Sequence, residues 1–363
     1  MSVHEPLVTV VTPVYNGGDF LAECIESVLK QTYQNYEYII VNNCSTDRTL
    51  EVAQQYAKQD SRIRIHNNER FVPVIENHNI AFSLISPMAK YCKVVSADDF
   101  LFPECISRLV ECAEANPGAA LIGSYQLSGQ YIRWQGFNFP KALISGVELC
   151  RQIFLGEGKN FGFGTPTSML YRADLVRASN AFYPNSSPHA DTSACFSSLR
   201  TADFGFVYQV LSYERTHPST QSFWSAQINR YSSALLNDLI EYGPWYLSSK
   251  EQQQQIKRTL NDYHRFLAVN WLIGSRNKDF WNYHETRLRE LGYPLRRFAL
   301  LKAATRSVLR EILNPEQAIR KLWTRISSKP RSVIAQPAAS GATDRKDASS
   351  NVKASESVGA GAS

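Results

Sequence analysis

Leu7-Val8-Thr9-Val10-Val11-Thr12-Pro13-Val14-Tyr15-Asn16-Gly17-Gly18 decides the fold. Leu7 to Thr12 is a β-branched run that Pro13 stops, and the two glycines after it turn the chain, which is how a buried strand ends. The next segment reads as a helix, with Leu21, Ile25, Val28 and Leu29 on one face. Tyr38 to Val41 then reads as a second strand covered on both sides, since an unbroken apolar run leaves no face for water. The alternation continues. Asp47 to Ala57 is helical in pattern, Ile63 and Ile65 alternate with Arg62, Arg64 and His66 as in a half-buried strand, and Tyr91 to Val95 forms another. Pro103 and Glu104 suit the first turn of the helix after it. Strands alternating with helices from residue 7 to about 124 imply an α/β fold with a mainly parallel, doubly wound sheet. In such a sheet ligands bind beyond the carboxyl ends of the strands, so the site is expected in the loops there.

Composition excludes several classes. Lys plus Arg number 39 against 33 Asp plus Glu, and a dispersed charge of +6 does not argue for nucleic acid. The seven cysteines are odd in number and contain no CxxC pair, which implies reduced thiols. No stretch approaches the roughly eighteen apolar residues of a spanning helix, and the N-terminal apolar run is short and broken by Pro13; neither secretion nor membrane spanning is indicated.

Three loops carry the polar residues: Thr12-Pro13-Val14-Tyr15-Asn16, Asn42-Asn43-Cys44-Ser45-Thr46-Asp47 and Ser96-Ala97-Asp98-Asp99-Phe100-Leu101-Phe102-Pro103. With the strand end Thr12-Pro13-Val14-Tyr15-Asn16 and the helix segment Ser27-Val28-Leu29-Lys30-Gln31-Thr32, their order and spacing resemble the inverting family-2 glycosyltransferases of GT-A fold. The resemblance spans roughly residues 7 to 220. It implies a GT-A-type, Rossmann-like sheet flanked by helices and a nucleotide-sugar donor. By the same resemblance Asp99 holds a divalent cation, Mn²⁺ or Mg²⁺, while Asp98 faces the ribose or shares the metal. Pro13, Tyr15, Asn42 and Asp98 become the donor-nucleotide residues, with Tyr15 against the base. The residues fit that chemistry, because Mg²⁺ is typically held by one or two carboxylates together with substrate phosphates. An acidic pair after a strand can also simply cap the next helix. Asn42, Asn43 and Cys44 depart from the family's usual Asp-Asp-Gly, which leaves the nucleobase open, since Asn both donates and accepts.

Beyond Ser124 the sequence turns aromatic and glycine-rich, with Trp134, Phe137, Phe139 and Phe161-Gly162-Phe163-Gly164-Thr165-Pro166-Thr167-Ser168. Trp134, Thr165 and Ser168 are assigned to the acceptor side, with core packing the alternative for the aromatics. Asp191, within Ser187-Pro188-His189-Ala190-Asp191, matches the family's catalytic base, although Ala190 replaces its usual acidic neighbour; a helix cap is the other role open to it. Arg215-Thr216-His217-Pro218 resembles the family's closing loop and makes His217 a second metal ligand. Gln130-Tyr131-Ile132-Arg133-Trp134 spells a signature of processive synthases but precedes Asp191, which favours transfer of a single sugar.

The expected organisation is a donor-binding half (1–124), an acceptor and catalytic-base half of the same domain (125–225), a helical C-terminal extension (226–328) and a disordered tail (329–363), where large apolar side chains give out. Within the extension, 295–326 mixes Arg296, Arg297, Lys302, Arg306 and Arg310 with Leu, Ile, Phe298 and Trp323, the composition of either a packing helix or a peripheral membrane contact. The expected function is inverting transfer of one sugar from a nucleotide-diphosphate sugar to the hydroxyl of a saccharide or lipid-linked saccharide, in bacterial-type polysaccharide or glycoconjugate biosynthesis. Its expected place is the cytoplasm or the inner membrane face. The competing readings are an inactive carbohydrate-binding protein of the same fold and a sugar-nucleotide nucleotidyltransferase, which would want a glycine-rich basic loop where Pro13-Val14-Tyr15-Asn16 stands.

Overall fold

In the computed structural model the described residues are 5–313 without 138–139, 157–161, 185–186, 188, 218–229, 275 and 277. The decisive stretch forms β1 (Val8–Val14), followed by α1 (Leu21–Leu29), β2 (Tyr36–Asn42), α2 (Thr49–Ala57), β3 (Ile63–Asn67), α3 (Val74–Ser83) and β4 (Tyr91–Val94). Pro13 does not stop the first strand. It lies within β1 opposite Val41, and β1 pairs with β4 only up to Val11 opposite Val94, so the N–H that Pro13 lacks is not missed on that side.

Then come β5 (Phe100–Leu101), α4 (Cys105–Ala115), β6 (Ala119–Ser128), β7 (Tyr131–Arg133), β8 (Leu143–Ile144) and α5 (Gly146–Leu155). A 3₁₀ turn at Pro166–Ser168 leads into β9 (Met169–Arg172), α6 (Ala173–Arg177), α7 (Ala190–Ser198) and β10 (Asp203–Glu214). The sheet order is β3-β2-β1-β4-β9-β6-β10-β5. The long strands run parallel, while β9 is antiparallel to both β4 and β6.

Successive residues of the central strands feed two cores, as a period of two requires. Val8, Val10, Tyr38 and Ile40 pack with α1 and α4, whereas Val11, Ile39 and Val41 pack on the opposite face with Phe82, Cys150, Val176 and Phe196. Both faces are therefore dry, and polar loops are left to the strand ends.

Helices follow: α8 (Arg230–Glu241), α9 (Gly243–Tyr246), α10 (Ser249–Leu272), α11 (Lys278–Glu290) and α12 (Arg297–Leu313). Leu236, Tyr263, Leu267, Phe280 and Leu288 give them a core of their own. Ser248 caps α10 with a reciprocal bond to Glu251, which also pairs with Arg151 of α5. Residues 1–308 form one compact unit, apart from 309–363. The expected tail lies outside the described residues, as does 314–326 of the basic segment.

Candidate active site

A cleft of about 610 Å³ opens at the carboxyl ends of the parallel strands, where the topology calls for a ligand site. The end of β1 contributes Pro13, Tyr15 and Gly17, the end of β4 contributes Ser96, Asp98 and Asp99, and the far side contributes Thr165, Asp191, Glu214, Arg215 and His217.

The loops after β1 and β2 are bonded to each other. The Asn16 N–H donates to Ser45 Oγ (3.0 Å), the Thr46 N–H to Asn16 Oδ1 (2.8 Å), and the Gly18 N–H to Asp47 Oδ2 (2.9 Å). Asn16 and Cys44 take left-handed backbone angles, which Asn tolerates better than most residues. Tyr15 stands 49% exposed at the rim with its ring 4.8 Å from that of Phe71.

Asp99 is only 5% exposed, and both its oxygens are engaged: Thr167 Oγ1 donates to Oδ2 (2.6 Å) and the Arg215 N–H to Oδ1 (3.0 Å). Burial, then the adjacent charge of Asp98, pushes its carboxyl up to about 7. Behind it the fully buried Lys93 donates to the carbonyls of Thr167 and Met169, fixing the turn that presents Thr167. Asp98 is more open, with Oδ2 3.3 Å from His217 Nε2. Arg215 ties the corner together by donating Nε to the Asp98 carbonyl (2.9 Å), pairing with Glu23 (2.5 Å) and lying over Phe20, against which the His217 ring also packs at 4.6 Å.

Asp191 enters the cleft from the first turn of α7, whose N-cap position is His189. Pro13, Tyr15, Asp98, Asp99, Asp191 and His217 thus line one space.

Other expected residues lie elsewhere. Asn42 is not among the lining residues: Nδ2 donates to Asn67 Oδ1 (2.9 Å) and Oδ1 accepts from the Ser45 N–H (3.2 Å), while Asn43 borders the cleft with its amide bonded to the Val72 backbone (2.8 and 3.0 Å). Ser168 is fully buried and exchanges bonds with Thr165 in a capping box. Trp134 does not line the cleft either; Nε1 donates to Gln126 Oε1 (3.4 Å) and its ring covers Gly162 so closely that a Cβ there would sit 2.4 Å away. Phe137 and Phe163 are core residues. Phe139, Phe161 and Pro218 lie outside the described residues.

Sequence reasoning missed Asn77, His78, Phe20, Thr167 and Glu214, all at the cleft or directly behind it. Glu214 ends a strand beside the Arg215–His217 motif and could have been read from that neighbourhood. Nothing in the pattern around Asn77 and His78 marks them.

Among the described residues no group of three or more His, Cys, Asp and Glu side chains could hold a metal ion. Asp98, Asp99 and His217 therefore do not close a three-ligand site by themselves, and an ion here would take part of its coordination from substrate phosphates. The tests of fit are that Asp98 and His217 lie 3.3 Å apart and that Asp99 sits in an environment opposed to its charge. Both favour an added cation.

A sheet of this order, with an acidic pair after β4 and the cleft above it, has the GT-A glycosyltransferase fold. Residues 9–178 match the family described as Glycosyl transferase family 2. Glycosyltransferase GlyG of Streptococcus pneumoniae is 34% identical over 176 residues, 47% of this chain and 58% of that protein. The uncharacterized glycosyltransferase EpsJ of Bacillus subtilis is 38% identical over 112 residues, 31% of each chain. The chain thus spans 58% and 31% of the length of these two curated relatives. Among solved structures, S. aureus TarS in complex with UDP-GlcNAc superposes with a TM-score of 0.57 at 15% identity, covering 79% of this chain and 80% of that one. The mannosyltransferase PcManGT of Pyrobaculum calidifontis, in complex with GDP-Man and Mn²⁺, gives 0.51 at 14% identity over 87% and 83%. These two likenesses concern the fold.

Proposed function

We propose that this protein transfers one sugar from a nucleotide-diphosphate sugar to an acceptor hydroxyl with inversion, in the assembly of a bacterial polysaccharide or glycoconjugate. The observation that carries the reading is that Asp98, Asp99 and His217 share one cleft with Asp191. Nucleotide sugars are the ligands of fold neighbours, UDP-GlcNAc in one and GDP-Man with Mn²⁺ in another.

In this reading Asp191 accepts the proton of the acceptor hydroxyl as that oxygen attacks the anomeric carbon from the face opposite the diphosphate. Attack and departure on opposite faces need no covalent intermediate on the enzyme. Asp98, Asp99 and His217 would hold Mn²⁺ or Mg²⁺, which when bound offsets the charge of the leaving diphosphate. Tyr15 and Pro13 border the nucleobase, and Thr167 and Lys93 keep the Asp99 corner rigid so that the two substrates meet in one geometry.

No helix among the described residues is long and apolar enough to cross a membrane. We place the protein in the cytoplasm, in peripheral contact with the inner membrane face through the basic apolar segment that includes α12.

The test is a thermal-shift screen of UDP-GlcNAc, UDP-glucose and GDP-mannose with and without Mn²⁺, since a ligand of the native state raises the melting temperature by mass action. A shift that needs both nucleotide sugar and cation is expected. No shift with any of them would remove the donor assignment.

A further inference from the structure

His78 lies on α3 one turn after Val74, and both line the cleft with Asp191. Its Nδ1 is 2.9 Å from the Val74 carbonyl oxygen. A carbonyl only accepts, so Nδ1 carries the hydrogen and, in the neutral ring, the lone pair sits on Nε2. The ring is stacked on Tyr183 at 5.5 Å. That partner is itself clamped from the same helix: Asn79 Nδ2 donates to the Tyr183 carbonyl (2.8 Å) and the Tyr183 N–H donates back to Asn79 Oδ1 (2.9 Å). Tyr183 also shares a hydrogen bond with Tyr171 (3.1 Å) at the back of the sheet. Rotamer, tautomer and stacking surface are therefore all fixed, which an incidental surface histidine does not require. Burial holds the imidazole below its ordinary range, with the Val74 carbonyl and the nearby Asp191 working partly against it.

We infer that His78 is a positioning residue whose Nε2 accepts a hydrogen bond from a sugar hydroxyl lying beside the one that Asp191 serves. Donor and acceptor sugars both bring several hydroxyls to the reacting centre, and a fixed acceptor in the same cleft as Asp191 can take one of them. The hydroxyl belongs either to the donor sugar or to the acceptor sugar. This inference rests on the proposed transfer reaction but adds a residue and a ligand group to it.

The experiment uses the full chain, Mn²⁺, the nucleotide sugar giving the largest thermal shift, and its parent nucleoside diphosphate. His78→Phe keeps a ring against Tyr183 and removes the acceptor; His78→Gln restores an acceptor. If the hydroxyl is the donor's, His78→Phe loses about tenfold in calorimetric affinity for the nucleotide sugar and nothing for the diphosphate, and His78→Gln recovers part of it. If it is the acceptor's, both affinities stay at parental values while KM for the acceptor rises about tenfold. Long-range ¹H–¹⁵N spectra of the parent at pH 7 should show a neutral ring protonated on Nδ1. A ring protonated on Nε2, an equal loss for sugar and diphosphate, or parental affinity together with parental acceptor KM would each overturn the inference alone. Failure of the parent to bind any nucleotide sugar would overturn the proposed function and this inference with it.

Discussion

Asp99 and Asp191 stand in different surroundings, and the proposed reaction gives the same functional group a different task in each. Burial and the neighbouring Asp98 disfavour the charge of Asp99, while the bonds from Thr167 and the Arg215 N–H offset only part of that, so a cation would be welcome beside it. Asp99→Ala is therefore expected to lower nucleoside-diphosphate affinity at a fixed Mn²⁺ concentration at pH 8 by at least tenfold, measured by calorimetry; parental affinity would take this residue out of the metal site. Asp191 is not the capping residue of α7, a position held by His189. With general-base contributions of about a hundred- to ten-thousandfold, Asp191→Asn should lose that much in single-turnover transfer while donor affinity and melting temperature stay close to the parent. Parental transfer would exclude the base role. At this scale the place of the acidic pair and Asp191 in one cleft was legible because ordered motifs mark those positions. The loop after β2 was less so: Asn42 is bonded to Asn67 and the Ser45 N–H and Asn43 to the Val72 backbone, partners that the sequence does not mark. His78 was illegible, because its role depends on Tyr183 and Asp191, far away in sequence.

Among the elements, β1 and β2 could be read directly, because strands covered on both faces must be apolar throughout. Helix α3 escaped because its middle, Glu76-Asn77-His78-Asn79, serves the cleft and hydrogen bonds rather than an apolar face. The antiparallel β9 was unreadable for another reason: its place between β4 and β6 is set by pairing across the sheet. One element contact has a measurable consequence. Ser193 of α7, two residues from Asp191, donates to Asp238 of α8 (2.6 Å), and burial pushes the Asp238 carboxyl up to about 7. A raised carboxyl holds its proton in the folded state where the unfolded chain has released it, so stability falls as pH rises from about 4 through about 7. Asp99 acts with the same sign. Asp238→Asn, which keeps an acceptor for Ser193 and carries no charge, should melt above the parent at pH 8 by the equivalent of roughly 1 kcal/mol, with the gap closing toward pH 5. Equal melting temperatures at pH 8 would show that Asp238 is not held in an opposing environment.

On the scale of the whole molecule, the open matter is what meets the outer side of α12. Leu300 packs toward the helical core and Ala304 is buried, so one side of the helix is already used. Yet Phe298 (76% exposed), Leu301 (52%) and Val308 (45%) recur with Thr305 at three- and four-residue spacing, hence on a common face in solvent. Arg296, Arg297, Lys302 and Arg306 are exposed around it. Water is a poor partner for such a face, and an anionic lipid surface satisfies both parts, taking the apolar side chains into the headgroup boundary and the cations onto the phosphates. Each basic residue near such a surface contributes about 1 kcal/mol, a term screened by salt, whereas the apolar term is not. The full chain should therefore co-sediment with vesicles containing phosphatidylglycerol at low salt, bind less as salt rises, and ignore vesicles of phosphatidylcholine alone. Phe298→Ser combined with Leu301→Ser should weaken binding at every salt concentration, whereas Lys302→Gln combined with Arg306→Gln should flatten the salt dependence. Sedimentation that neither pair of substitutions alters would place the contact elsewhere on the chain, and no sedimentation at low salt would return α12 to the role of a packing helix.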